Sequence, residues 1–148
     1  MELGRSKIDP ALVRDGVWTE FLIVGADREP VTIKLKMALA DAQMNPRYKE
    51  ALRKGLEPFE RMLSLYKKAT EIPTSLATKI NEIGRRVFVE QIIVDWEGPT
   101  KDGQPIPYSP DACLLLFEEY PELLSQAEEE ASKFERYRVA ILEEASGN

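Results

Sequence analysis

The chain has 148 residues, with 20 Lys plus Arg, 26 Asp plus Glu, one cysteine and no histidine, for a formal net charge of -6. Without histidine there is no Ser-His-Asp or Cys-His nucleophile and no imidazole metal ligand, and a single cysteine excludes an intramolecular disulfide and a cysteine-ligated zinc or iron-sulfur site. The length suits one domain, and 43% hydrophobic residues are enough to fill a core, so disorder across the whole chain is not expected.

The stretch MELGRSKIDPALVRDG mixes acids and bases and lacks the apolar run of a signal peptide, and nothing later approaches the roughly 20 apolar residues that cross a bilayer. The protein is therefore expected to stay where it is made, and its lone thiol suits a reducing cytoplasm. The net charge hides an uneven distribution. Residues 1–44 carry six bases and seven acids, residues 45–90 ten bases and six acids, and residues 91–148 four bases and thirteen acids.

Residues 16–24, GVWTEFLIV, and the run Val31 to Met37 are rich in β-branched and aromatic residues, with the turn-forming Gly25-Ala26-Asp27-Arg28-Glu29-Pro30 between them. The second run places Val31, Ile33, Leu35 and Met37 on one face, the period of a half-buried strand. A β-hairpin is predicted, and because a two-stranded hairpin is marginal alone, it must pack on helices or pair with another chain. Asn45-Pro46 is a helix start, and the apolar spacing of Tyr48, Leu52, Phe59, Leu63 and Tyr66 continues it. Gly55 and Pro58 interrupt the pattern, so two helices are expected, about 46–55 and 57–70, or one strongly kinked helix. Thr74 or Ser75 is expected to cap the next helix, whose apolar positions are Leu76, Ile80, Ile83 and Val87. The run Val87 to Val94 fits helix or strand; with no turn signal upstream, helix through about 93 is the reading adopted.

Residues 97–110, with four prolines and two glycines, form a loop with a turn at Lys101-Asp102-Gly103. Ser109-Pro110-Asp111 starts a helix with Ala112, Leu115 and Leu116 inward, ending before Tyr120-Pro121. A last helix is predicted over about 121–144, with Leu123, Leu124, Ala127, Ala131, Phe134, Ile141 and Leu142 as its apolar stripe, and Ser146-Gly147-Asn148 frayed. The expected fold is mainly α with a small N-terminal β-hairpin (α+β), a compact helical domain of about four to five helices. Residues 1–44 form an arm and hairpin, and residues 45–148 a helical region packed with it as a single domain.

No catalytic, cofactor-binding or metal-binding residue is assigned. Asp95, Glu97 and Asp102 lack the pocket and positioning groups of acid-base chemistry, and their spacing lacks the ligand series of an EF-hand loop. Glu128 to Glu130 read as a solvated face or as a contact surface for a basic partner or a neighbouring subunit's basic middle. Arg53, Lys54, Lys67, Lys68, Arg85 and Arg86 are interspersed with Glu50, Glu57, Glu60 and Glu82, a mixed helical surface more than a phosphate-binding one, so nucleic acid is not an expected partner. Cys113 reads as a buried structural thiol.

The most informative stretch runs from Asp95 to Pro110. Its prolines restrict the unfolded chain, and Trp96, Ile106 and Tyr108 offer apolar anchors. Asp95, Trp96, Gly98, Gly103, Pro105, Ile106, Pro107, Tyr108, Ser109 and Pro110, followed by Asp111, Ala112, Leu115 and Leu116, resemble the motif of tail assembly chaperones of long-tailed phages. In that family a helix ends in a D-W-x-G-like motif and leads through a G-x-P-(L/I)-P-(Y/F)-(S/T)-P connector into an Ala- and Leu-rich helix. The Tyr120-Pro121-Glu122-Leu123 break and the order of Gly16-Val17-Trp18, strand, Asn45-Pro46-Arg47-Tyr48 and basic helix are similar too; Pro99 departs from the pattern. The resemblance implies a prophage or phage protein that coats the tape measure protein in the host cell cytoplasm until tail tube protein displaces it. It also implies self-association, a frameshifted longer product, absence from the mature virion, and no catalysis or cofactor. A structural virion protein, such as a tail completion or connector component, is the competing expectation, and a small helical nucleic-acid-binding regulator a third.

Overall fold

A computed structural model of the chain describes residue 3 and residues 6–67 and 71–139. The alternation read in the sequence makes the expected hairpin. Strand β1, Val17–Val24, turns Thr19, Phe21 and Ile23 inward, and strand β2, Pro30–Met37, turns Ile33, Leu35 and Met37 inward. They pair antiparallel from Val17 opposite Met37 to Val24 opposite Pro30. Their turn is closed by the Gly25 amide donating to the Glu29 carbonyl at 2.9 Å and by the Asp27 carboxylate accepting from the Glu29 amide at 3.0 Å.

The sheet does not stop at the hairpin. Helix α4, Thr74–Val87, opens into a π-helical turn over Phe88–Ile92, and the chain then straightens into strand β3, Ile93–Glu97, antiparallel to β2. The expected helix through 93 therefore ends one residue early, and a strand follows it. The β-branched Ile93 and Val94 have an open strand edge to join, and the wide π turn buries Phe88, Val89 and Ile92 together, so tertiary pairing overrides the upstream helical period. The fold is a mixed α+β arrangement with a three-stranded sheet, order β1-β2-β3, rather than helices beside an N-terminal hairpin.

Five α-helices lie in residues 45–148 among the described residues, within the four to five expected, and one more precedes the hairpin. Helix α1, Pro10–Asp15, lies in what the sequence reading left as an arm; the Asp9 carboxylate caps it by accepting from the Ala11 amide at 2.9 Å. Helix α2, Pro46–Leu56, starts at the buried Asn45, whose side chain accepts from the Tyr48 amide and donates to the Leu39 carbonyl at 2.9 Å. A 3-10 turn, Glu57–Phe59, leads to helix α3, Glu60–Leu65, so Pro58 does divide the segment. Neither Thr74 nor Ser75 caps α4; Pro73 holds the cap position and no side chain bonds the free amides.

Helix α5, Pro110–Glu119, buries Cys113 and Phe117, one turn apart, while Leu115 is 63% exposed, so the inward face is rotated from the one expected. Helix α6, Pro121–Ala131, buries Leu123, Ala127 and Ala131. It stops there instead of running to about 144, giving way to a 3-10 turn, Phe134–Tyr137. Continued helix would carry Tyr137 about 240° round from Ala131, off the buried stripe. The break instead lets Tyr137 enter the core, its hydroxyl bonded to the Met37 and Ala38 carbonyls at 3.0 and 3.1 Å. Phe134 is largely exposed; Ile141, Leu142 and Ser146 to Asn148 lie outside the described residues.

The main core lies between the inner face of the sheet and a layer formed by the π turn, α5 and α6, with Leu35, Met37, Val89, Ile92, Phe117 and Leu123 at its centre. A smaller cluster of Val13, Leu39 and Tyr137 ties α1 to the segment after β2. That segment is a hub: the Ala38 amide bonds the Ile92 carbonyl, the Leu39 amide Val13, and the Ala40 amide Ala131, at 2.7, 3.1 and 2.9 Å.

Candidate partner-binding surfaces

The motif residues are built into the fold at three points. Trp96 stands opposite Leu35 in the sheet and is buried; its indole N–H donates to the Ile106 carbonyl at 2.7 Å, and Tyr108 meets its ring edge-on at 5.3 Å between centroids. The Tyr108 hydroxyl donates to the Val89 carbonyl in the π turn, and burial pushes its pKa well up. Gly98 has φ 124°, and a Cβ there would stand 2.7 Å from the Thr32 carbonyl oxygen, so the strand's exit requires glycine. Ser109 accepts the Ala112 amide at 3.1 Å and Pro110 takes the first helical position, so the helix start reads as expected.

Between these points the connector contains a short ladder that the sequence reading left irregular: Thr100–Lys101 pairs with Gln104–Pro105, here β4 and β5, around Asp102 and Gly103 at φ 52° and 77°. The Ile106 amide closes the loop on the Pro99 carbonyl at 3.0 Å. Ile106 is partly buried, whereas Asp95, Gly98, Gly103, Pro105, Pro107 and Ser109 are exposed. The motif thus exposes mainly glycines and prolines, with Asp95 and Ser109, and turns its aromatic groups toward the core.

The carboxylates do not converge. Asp95 faces Lys36 and Glu97 faces Lys34 on the outer sheet surface, the latter pair 4.0 Å apart. The Glu128–Glu130 run splits. Glu130 bonds Lys133 at 2.7 Å and also Arg136, which hold its carboxyl below the usual range, while burial raises Glu128 against the opposing effect of Arg85. The Glu130 pairs stay within the acidic end, which meets the basic middle where Arg86 approaches Asp111. Burial pushes the Cys113 thiol up to about 12, leaving it un-ionised at neutral pH. No helix of the described residues is long and apolar enough to cross a membrane.

The basic helices pair internally as well: Arg53 bonds Glu50 at 2.8 Å, and Arg86 approaches Asp111 at 3.9 Å; Lys68 lies outside the described residues. Beside them α2 and α4 enclose an open cleft of about 340 Å³ with an apolar floor, Ala51, Gly55, Ile83 and Val87, and Lys54, Arg86 and Glu90 on its rim. Helices α2 and α3 fully bury none of their residues; Leu65 is 80% exposed, and Met62 and Ile72 are half-exposed. Met62, Leu65 and Ile72 fall outside the Phe59, Leu63 and Tyr66 stripe, and the signal is in the sequence, since Met62, Leu63 and Leu65 cannot share one narrow face of a short helix.

No curated protein and no solved structure matches the chain. A family model described as YdaY prophage protein matches residues 43–148, well over half the length, beginning just before the Asn45 cap and including the connector and both acidic helices. The chain belongs to the YdaY prophage protein family.

Proposed function

We propose that this prophage protein is a non-enzymatic tail assembly chaperone, which keeps a tape measure protein soluble in the host cytoplasm until tail tube protein displaces it. The observation that carries this reading is the helical arm: Leu65 is 80% exposed there with Met62 and Ile72 half-exposed, and an apolar-floored cleft with Lys54, Arg86 and Glu90 on its rim opens between α2 and α4. Such a surface suits an amphipathic helical client, docked through its apolar face and released reversibly. The Asp95–Pro110 resemblance supplies the tail-assembly context, and in this reading the motif positions the sheet against α5 rather than touching the client. Several copies bind along one client.

Co-expression with the tape measure protein of the same prophage is the test. The client should become soluble in the presence of this chain, and Met62→Ser with Leu65→Ser should abolish the effect while the circular dichroism stays unchanged. A client equally insoluble with and without the chain sinks the proposal. Mass spectrometry of purified particles separates the competing reading, because a structural virion protein stays in the particle and a chaperone does not.

A further inference from the structure

The two edges of the sheet are not equivalent. The β3 edge is short, carries Asp95 and Glu97, is bulged against β2, and ends at the Gly98-Pro99 corner. These are the devices that stop further pairing. The β1 edge has none of them: eight residues, no proline, no lysine, no bulge, and one charge, Glu20. Alongside it runs a cleft of about 350 Å³, bounded by residues 19–22 of the strand and by Gln126, Glu129, Glu130 and Arg136 from α6 and the turn after it. Four consecutive strand residues line it, so the cleft borders the strand's edge and not one of its faces. A strand edge beside a helix is the geometry that receives an added strand.

Charge selects the occupant. Arg136 is already bonded to Glu130, so the lining keeps Glu20 and Glu129, neither of which has an ion-pair partner within 4.0 Å among the described residues. Pairing β1 with its own copy about a two-fold axis at Phe21 would set each Glu20 opposite Leu22 and diagonal to the other Glu20, like charge near like. We infer that the β1–α6 cleft receives an extended segment of a different chain, about six residues long, which adds to β1 as a fourth strand and places Lys or Arg against Glu20 and Glu129. This stands independently of the chaperone reading, which concerns the helical arm.

The probe is an acetylated, amidated hexapeptide, Thr-Val-Lys-Lys-Val-Thr, followed by amide shifts and amide hydrogen exchange in the full chain. Binding should slow exchange and move shifts at residues 17–24 and along α6. Replacing the two lysines by glutamate, or N-methylating alternate peptide amides, should abolish both effects. Glu20→Lys with Glu129→Lys should weaken the lysine peptide about tenfold, as the loss of two partly exposed ion pairs, and restore the glutamate peptide, with unchanged circular dichroism. The inference is overturned if the peptides bind alike, if N-methylation has no effect, if the shifts map to α2 and α4, or if nothing binds. It is equally overturned if the free protein is a dimer with β1 amides already protected, since a second copy then holds the edge.

Discussion

The connector from Gly98 to Ser109 and the arm from Pro46 to Tyr66 invert the usual expectation about order. The connector has almost no regular structure, yet Trp96, Ile106 and Tyr108 fasten it to the sheet and to the π turn. The arm is nearly all helix, yet fully buries none of its residues in α2 or α3. Backbone regularity and integration into the core are separate properties. A helix satisfies its own backbone and can stand out from the body, whereas an irregular loop must be satisfied by its neighbours and so becomes part of them.

Substitutions can break this contrast, beginning with the largest effect. Trp96→Ala removes a buried indole and leaves the Ile106 carbonyl without its donor; a loss of about 3–5 kcal/mol is expected in denaturant unfolding. Gly98→Ala forces a side chain into a left-handed backbone against the Thr32 carbonyl, at a cost of about 2 kcal/mol. Tyr108→Phe keeps the ring and loses the bond to Val89, for about 1 kcal/mol. In the arm, Leu65→Ser should change stability by less than about 0.5 kcal/mol while weakening client binding. If the arm substitution destabilised the fold as much as the connector ones, the contrast would be lost.

The thiol sharpens it from another side. Because the folded pKa of Cys113 is about 12, above its ordinary 9.0, the folded state holds a proton that the unfolded state releases. That contribution to stability is complete below pH 9 and falls as pH rises toward 12. Labelling by a disulfide reagent at pH 8 should therefore run no faster than unfolding, and Trp96→Ala should accelerate it.

What was legible in the sequence was local. The hairpin follows from Val31, Ile33, Leu35 and Met37, the starts of α2 and α5 from Asn45-Pro46 and Ser109-Pro110, and the 102–103 turn from Asp-Gly. The third strand was not legible, because Ile93 and Val94 suit either state and only β2 decides between them. The end of α6 depends on Tyr137 finding two carbonyls about a hundred residues away, which no local pattern encodes. At the candidate site the motif residues stood out in composition, but that their aromatic rings face the core, and that Met62, Leu65 and Ile72 face water, depends on packing between distant segments.

The hub after β2 also sets the order in which the molecule can be completed. The Met37 to Ala40 segment donates amides to the π turn, to α1 and to the end of α6, and accepts from Tyr137 across about 100 residues of sequence. Closing loops of that length costs entropy before any contact rewards it, and high contact order slows folding. During synthesis the hairpin segment therefore emerges long before the Met37 and Ala38 carbonyls can meet Tyr137. A chain stopped before Tyr137 would leave the Met37 and Ala38 carbonyls without this donor and the cluster of Val13 and Leu39 without its aromatic ring.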